Sequence, residues 1–275
     1  MERERSAVRK WQRKEKIMKR AMEINGLHIE AEYSDRAMET IFLPMLRHLT
    51  ELQKEAGRRI LVFLAAPPAT GKSTLVKFLT DLSGEMPGLT PITAVGMDGF
   101  HHYQDYLLSH RVIRDGQEIP MTLIKGAPIT YDLDAFRERL LRVRKERVCP
   151  WPEYSRKLHD PVDNAVEITG DIVLIEGNYL LLDEEGWRDL KSLADYTVRI
   201  LADEKDVRDR LIWRRASNGT PMKEAEYMVD SNDIPNVRLC MEKSMDGDVT
   251  LRLTPEGDYV YEKQSMEKSD SGSCL

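Results

Sequence analysis

Cysteine is scarce in this chain: Cys149, Cys240 and Cys274 are odd in number, far apart and without a CxxC pair. That argues against a disulfide framework or a thiolate zinc site and suits a reducing compartment. Long apolar runs are missing too. No stretch approaches the roughly 18 apolar residues that a spanning helix needs, and the basic N-terminus leads into no apolar segment of the secretory kind. The expectation is a cytoplasmic protein with no membrane partner. With 16 Gly and 13 Pro in 275 residues, 41% hydrophobic and 32% charged, collagen-like and disordered classes are excluded. The length fits one large globular domain or two small ones.

Charge is unevenly placed. Residues 1–20 hold nine Lys or Arg against three acids, so a net charge of −6 leaves the rest of the chain at −12. A body that acidic argues against nucleic acid as a partner. The basic stretch itself, with Val8, Trp11, Ile17 and Met18 only loosely periodic, reads as a solvated helix or frayed arm.

Alternation around Asn25-Gly26 predicts a short hairpin over residues 24–33. Met38, Ile41, Phe42, Met45, Leu46, Leu49 and Leu52 then fall on one helical face. From residue 59, strand and helix patterns alternate: apolar runs at 60–66, 92–96, 172–175 and 196–201, with helical patterns from Lys72 and at 134–145, 204–216 and 223–230. That is the signature of a parallel sheet covered on both faces. Residues 249–253 and 259–261 close the chain as a hairpin, and 263–275 read as a disordered tail. The division is an arm (1–20), a single domain (21–262) and a tail.

The first apolar run is followed by Ala66-Pro67-Pro68-Ala69-Thr70-Gly71-Lys72-Ser73-Thr74, which opens a helix. This is the context that a GxxxxGK[ST] match requires. Four residues between the small positions let successive backbone N–H groups converge on phosphate, and the new helix adds its positive end. Lys72 is placed to reach the β- and γ-phosphates and the Ser73 hydroxyl to hold Mg²⁺. Ala66 stands where the motif has Gly, so its backbone must adopt angles that a Cβ tolerates.

Two acids end buried strands. Asp98 follows the second strand, taken to lie beside the loop, at the carboxyl edge where open sheets bind ligands; it is suited to take an acceptor's proton, with an Asp-Gly turn as the bland alternative. Glu176 follows Ile172-Val173-Leu174-Ile175, where a metal or its water is the functional reading and a loop cap the bland one.

In order along the chain, APPATGKST, MDGFHH, KGAPITYDLDAF, WPEYSRKLHDPV, IVLIEGNYLLLDEEGW and RLIWRRASNG make residues 22–245 resemble the phosphate-loop kinases of the uridine kinase, phosphoribulokinase and type I pantothenate kinase superfamily. The resemblance implies a P-loop NTPase α/β three-layer sandwich with a central parallel sheet, a helical lid about residues 204–220 and a small N-terminal hairpin-helix preface. It implies Asp98 as base on the substrate hydroxyl and Glu176 as an aid to Mg²⁺ and substrate. It also implies Arg210 and Arg214, one helical turn apart, folding over the triphosphate; Arg208 and Arg215 are left as a solvated face. Tyr154, Arg156 and His159 match a pattern that lines the acceptor pocket, against bland readings as a core aromatic (Tyr154) and a turn histidine (His159). Lys125, Phe100, His101, Asn178 and Tyr179 fall in motifs that approach the substrate. EGNYLLL followed by Trp187 looks closer to pantothenate kinases and sugar-associated bacterial kinases than to uridine kinases.

The expected activity is transfer of the γ-phosphoryl of ATP, with Mg²⁺, to a hydroxyl of a nucleoside-, sugar- or pantothenate-like metabolite. A nucleotide-binding regulatory protein of the same fold without phosphotransfer is the alternative. A GTPase switch would show a guanine-reading NKxD segment, and the chain has none. The preface and the terminal hairpin leave a homodimer open.

Overall fold

A computed structural model describes residues 17–24, 27–114 and 116–262. The basic stretch before residue 17, the Asn25-Gly26 turn and the tail from 263 lie outside them. β1 (Ile17–Ile24) and β2 (Leu27–Ser34) pair antiparallel, from Ile17 opposite Ser34 to Ile24 opposite Leu27. The strand starts inside the stretch read as a helix or frayed arm, which corrects that reading for residues 17–20. Its basic residues find partners there: Lys19 pairs across the hairpin with Glu30 and Glu32, and Arg20 reaches Glu85 at 2.6 Å.

Ser34 then caps a helical start, its Oγ accepting from the Ala37 N–H at 3.0 Å. The backbone passes through a π-helical turn (Met38–Phe42) into α1 (Leu43–Ala56), which stops at Gly57 in the left-handed region, φ 60°. A second π turn occurs at Val229–Asp233, and each ends two residues before a proline, Pro44 or Pro235. Proline cannot donate to the helical ladder, so the ladder widens around the missing N–H.

β3 (Ile60–Ala65) leads through the phosphate loop into α2 (Lys72–Glu85), and β4 (Ile92–Gly96) follows. Next come α3 (Gln104–Ser109), the hairpin of β5 (Arg111–Arg114) and β6 (Gln117–Pro120), α4 (Leu133–Lys145), and a second hairpin of β7 (Cys149–Ser155) and β8 (Asp160–Ile168). β9 (Ile172–Gly177), β10 (Tyr196–Leu201), α5 (Glu204–Ser217), α6 (Met222–Met228), α7 (Ile234–Glu242), β11 (Val249–Leu253) and β12 (Tyr259–Tyr261) complete the order.

The central sheet runs β12-β11-β10-β3-β9-β4, parallel throughout except for β12 at its edge. All six residues of β3 are buried, and they alternate between two cores. Ile60, Val62 and Leu64 face the side of α1, α2 and the preface; Leu61, Phe63 and Ala65 face the side of α4, Phe100 and Trp151. Covering both faces is what makes such a strand read as a continuous apolar run.

The strand order changes one expectation. β4 is not beside β3: β9 lies between them, with Glu176 opposite both Leu64 and Gly96. The carboxylate nearest the loop is therefore Glu176, and Asp98 stands one strand further along. Also absent from the sequence reading are the β7–β8 hairpin and α7. Pro150 and Pro152 inside β7 argue against a strand. β7 tolerates its prolines because it pairs only with β8, with a register shift between Trp151 and Glu153. It packs so tightly on the segment after β4 that a Cβ at Gly99 would come within 2.1 Å of the Pro152 carbonyl oxygen.

Candidate active site

The phosphate loop is shaped by neighbours from both ends of the chain. The Ala66 N–H donates to the Gly177 carbonyl at 3.1 Å, and Ala66 is absent from the positive-φ residues, so its Cβ costs the loop nothing. The left-handed positions are Ala69 (φ 60°) and Gly71 (φ 79°). Gly71 caps α2 without a side-chain bond, and the helix's first N–H groups are left for a ligand. The buried Thr70 hydroxyl donates to the Pro67 carbonyl at 2.8 Å.

Tyr259 on the last strand, also buried, donates its hydroxyl to the Thr70 carbonyl at 2.9 Å. Tyr259→Phe removes one buried hydrogen bond worth about 1 kcal/mol. The expected outcome in thermal unfolding is a larger loss of Tm with ATP present than without it, since the loop is what the bond shapes. Equal losses in both conditions would show that Tyr259 braces the fold alone.

Glu176 closes the far side of the loop. Its Oε1 accepts from the Ser73 hydroxyl at 2.7 Å, and its Oε2 lies 3.8 Å from Lys72 Nζ. Burial pushes the Glu176 carboxyl above its ordinary value, with Lys72 opposing and Asp98 adding to the rise. Among the described residues no three His, Cys, Asp or Glu side chains gather as a metal cage. Mg²⁺ needs none: it takes one or two protein oxygens and fills its shell with water and phosphate. Ser73 and Glu176 fit that role.

Asp98 lies in the short helical turn after β4, and its Oδ1 accepts from the Tyr131 hydroxyl at 3.0 Å. Burial pushes its carboxyl up, but His101, Lys72, Tyr131 and Arg156 together outweigh that and hold it below the ordinary value. His101 Nδ1 donates to the Asp98 carbonyl oxygen at 2.9 Å, and its ring lies 3.8 Å from the Tyr131 ring and 5.3 Å from that of Tyr154. Burial lowers the His101 pKa, with Asp98 opposing.

A cleft of about 620 Å³ brings the sequence-predicted residues together. Pro68, Ala69 and Gly71 through Thr74 form its floor. Asp98, His101, Asn178, Lys125, Tyr154, Arg156, Arg210 and Arg214 line it as well. Ala66, Pro67, Thr70 and Glu176 lie outside the lining, Glu176 behind Ser73 and Lys72, which it contacts. Three predictions about side chains are corrected. Phe100 and Tyr179 are core residues: Phe100 packs 5.0 Å from the Trp151 ring, and Tyr179, fully buried, donates its hydroxyl to the Gly126 carbonyl at 2.5 Å. His159 is an exposed turn residue with φ 58°; what it directs toward the cleft wall is its carbonyl, which accepts from Lys125 at 2.9 Å.

The arginine helix α5 divides differently from the sequence reading. Arg210 and Arg214 do line the cleft, and no ion-pair partner lies within 4.0 Å of either among the described residues. Arg208 and Arg215 are not a solvated face: they pair with Asp230 at 2.6 Å and Asp233 at 2.7 Å, tying α5 to the π turn before α7. Burial pulls the Arg214 guanidinium below its ordinary value, and Arg156 adds to the fall. Residues the sequence reading missed are Ile29, Tyr131, Trp213, Asp233 and Asn236, which all line the cleft. Tyr131 and Trp213 stand within the segments KGAPITYDLDAF and RLIWRRASNG. Ile29 and Asn236 gave no signal, because the preface and α7 reach the site only by folding over it.

Fold and site together define a phosphate-loop nucleotide-binding protein of the kinase type. No family model matches the chain. It is 39% identical over 245 residues to "Uncharacterized protein YggC" of Escherichia coli K12, covering 89% of this chain and 99% of that one. It is 31% identical over 201 residues to "Putative uridine kinase C227.14" of Schizosaccharomyces pombe, covering 71% and 83%. The crystal structure of a putative fructose transport system kinase from Silicibacter sp. TM1040 superposes with a TM-score of 0.64 at 29% identity, over 74% of this chain and 98% of that one. The chain belongs to the phosphate-loop kinase superfamily of uridine kinases, phosphoribulokinases and type I pantothenate kinases. No helix among the described residues is long and apolar enough to cross a membrane.

Proposed function

We propose that the protein is an ATP-dependent kinase that phosphorylates a hydroxyl of a small metabolite, residues 21–262 acting as one kinase domain with residues 204–220 as its lid. The observation that carries this is the carboxylate of Asp98, oriented by the Tyr131 hydroxyl and lining the same cleft as the phosphate loop. Relatives named as kinases support it.

In this reading the loop amides, Lys72, Arg210 and Arg214 hold the phosphates, and Ser73 with Glu176 would hold Mg²⁺. The bound metal would supply neutralisation of charge on the β- and γ-oxygens. Tyr131 occupies Oδ1 of Asp98, which leaves Oδ2 for the acceptor hydroxyl. As the hydroxyl oxygen bonds to the γ-phosphorus and the bond from that phosphorus to the β-phosphate oxygen breaks, the hydroxyl proton passes to Asp98 and ADP leaves. A carboxylate of low pKa suits a loose transition state, in which the proton is lost late and positioning contributes most of the rate.

A regulatory protein without phosphotransfer would find its signs in Ala66, where the motif has Gly, and in the long preface. Ala66 sits without strain, and the preface contributes Ile29 to the cleft, so neither feature marks a lost activity. Incubation with ATP, Mg²⁺ and a panel of hydroxylated metabolites, read by product mass, tests the proposal. The expected result is the gain of one phosphoryl group by one acceptor class, with equimolar ADP. ADP release that never exceeds the no-acceptor background would overturn it.

A further inference from the structure

The π turn Val229–Asp233 joins α6 to α7, and four of its five residues bond to other parts of the chain. Two of them tie it to α5. The Asp230 carboxylate accepts from Arg208 Nε and Nη2 at 2.6 and 2.8 Å, and that of Asp233 accepts from Arg215 Nη2 at 2.7 Å. The other two reach the opposite way. The Ser231 carbonyl accepts from Arg114 Nη2 on β5 at 2.7 Å, and Asn232 Nδ2 donates to the Lys125 carbonyl at 3.2 Å.

Both of the segments so joined line the cleft. α5 brings Arg210 and Arg214 to it, and the strap of residues 121–130, two short helical turns around a bend, brings Lys125 and Gly126. One turn of five residues is therefore bonded on one side to the helix of the cleft arginines and on the other to the strap. Widened turns of this kind are frequent where a helix serves a site.

Successive carbonyls of the strap are held by different bodies. That of Gly126 accepts from the hydroxyl of Tyr179, which is fixed in the core, and that of Lys125 accepts from Asn232. Gly126 has φ 100°, an angle that side chains rarely adopt, so the peptide can bend between the two holds. Behind the strap lies a cavity of about 390 Å³, lined among others by Ile113, Ile124, Pro128, Pro235 and Asn236. Apolar packing between strap and α7 is incomplete there, and the bond from Asn232 is a direct link across the gap.

Phosphates engaging Arg210 and Arg214 would order α5. The two ion pairs pass that order to the π turn, and Asn232 passes it to the strap. A segment already ordered by one ligand costs less to order for a second. We propose that Asn232 is a positioning residue, through which nucleotide bound at the phosphate loop fixes the strap on the far side of the cleft. By reciprocity, any ligand that orders the strap tightens the hold on nucleotide by the same factor. This rests on the nucleotide site of the kinase reading and not on phosphoryl transfer.

Hydrogen exchange of the full chain, with and without ADP and Mg²⁺, tests it. In the wild type ADP is expected to slow exchange of the amides of residues 121–130 about fivefold, the equilibrium worth of one hydrogen bond. Asn232→Ala should abolish that slowing while ADP still binds within about fivefold of its wild-type Kd and β3 keeps its protection. Arg215→Met cuts the same link at the α5 end and should also abolish it, which keeps a second test should Asn232→Ala fail to fold. A merely structural Asn232 would speed exchange of the strap alike with and without ADP, leaving the ratio unmoved. Slowing that persists in either folded variant would mean that ADP acts on the strap by another route and would overturn the proposal, as would its absence in the wild type with ADP bound. A wild type that binds no ADP overturns the nucleotide site itself, and the coupling with it.

Discussion

Asp98→Asn is expected to lower kcat by roughly a thousandfold, the range seen when a positioned general base is lost, while ATP affinity stays within a few-fold of wild type. The substitution keeps the shape of the side chain and an oxygen for the Tyr131 hydroxyl, whose bond to Oδ1 measures 3.0 Å. It replaces the other oxygen by an NH₂ group that donates where a proton must be accepted. His101 bonds to the backbone carbonyl of residue 98, so its placement survives. The pH profile adds a second readout. Because the Asp98 carboxyl is held below its ordinary value, it stays ionised as pH falls, and kcat/KM should show no acid limb from this group above about pH 4. Turnover by the variant near the wild-type rate would remove Asp98 from the role of base.

Lys72→Met should reduce kcat/KM for ATP by about two to three orders of magnitude, the cost of removing one preorganised charge from a phosphoryl-transfer site. Lys72 is well buried, at 12% side-chain exposure, and is the cation beside Glu176. Its removal also has a signature in stability. Burial already pushes the Glu176 carboxyl up, and Lys72 is the main influence opposing that rise. Without it the folded-state pKa of Glu176 climbs further. A group whose folded pKa is raised contributes stability below its unfolded value and loses it as pH rises through the folded one. The Tm deficit of the variant relative to wild type should therefore be larger at pH 8.5 than at pH 5.5. A deficit independent of pH would mean that Lys72 does not govern the charge on Glu176.

Much of the site was legible because phosphate chemistry is written in contiguous residues. A loop that curls around phosphate needs small positions at fixed spacing and a helix directly after, so residues 66–74 declared themselves. Strand-end acids declared themselves in the same way, since Asp98 and Glu176 each follow an apolar strand. The structure places both near the loop, though with β9 rather than β4 beside β3. What misled were residues adjacent to functional ones. Phe100 follows Asp98 by two positions and Tyr179 follows Glu176 by three, yet both turn into the core, where Trp151 and the Gly126 carbonyl hold them.

The sequence by itself determined the layered α/β class, the phosphate loop and the two acids, because each depends on local periodicity or on a few consecutive residues. Only the tertiary structure decided which arginines of α5 are free for a ligand. Four of them share one helix, but Asp230 and Asp233 lie across space from just two, and those two became structural. The brace of Tyr259 on the loop, separated from Thr70 by 189 residues, and the placement of Lys125 by a carbonyl 34 residues away are likewise invisible along the chain. Each is a pairing between distant segments, and the folded sheet and its hairpins are what bring those partners within hydrogen-bond range.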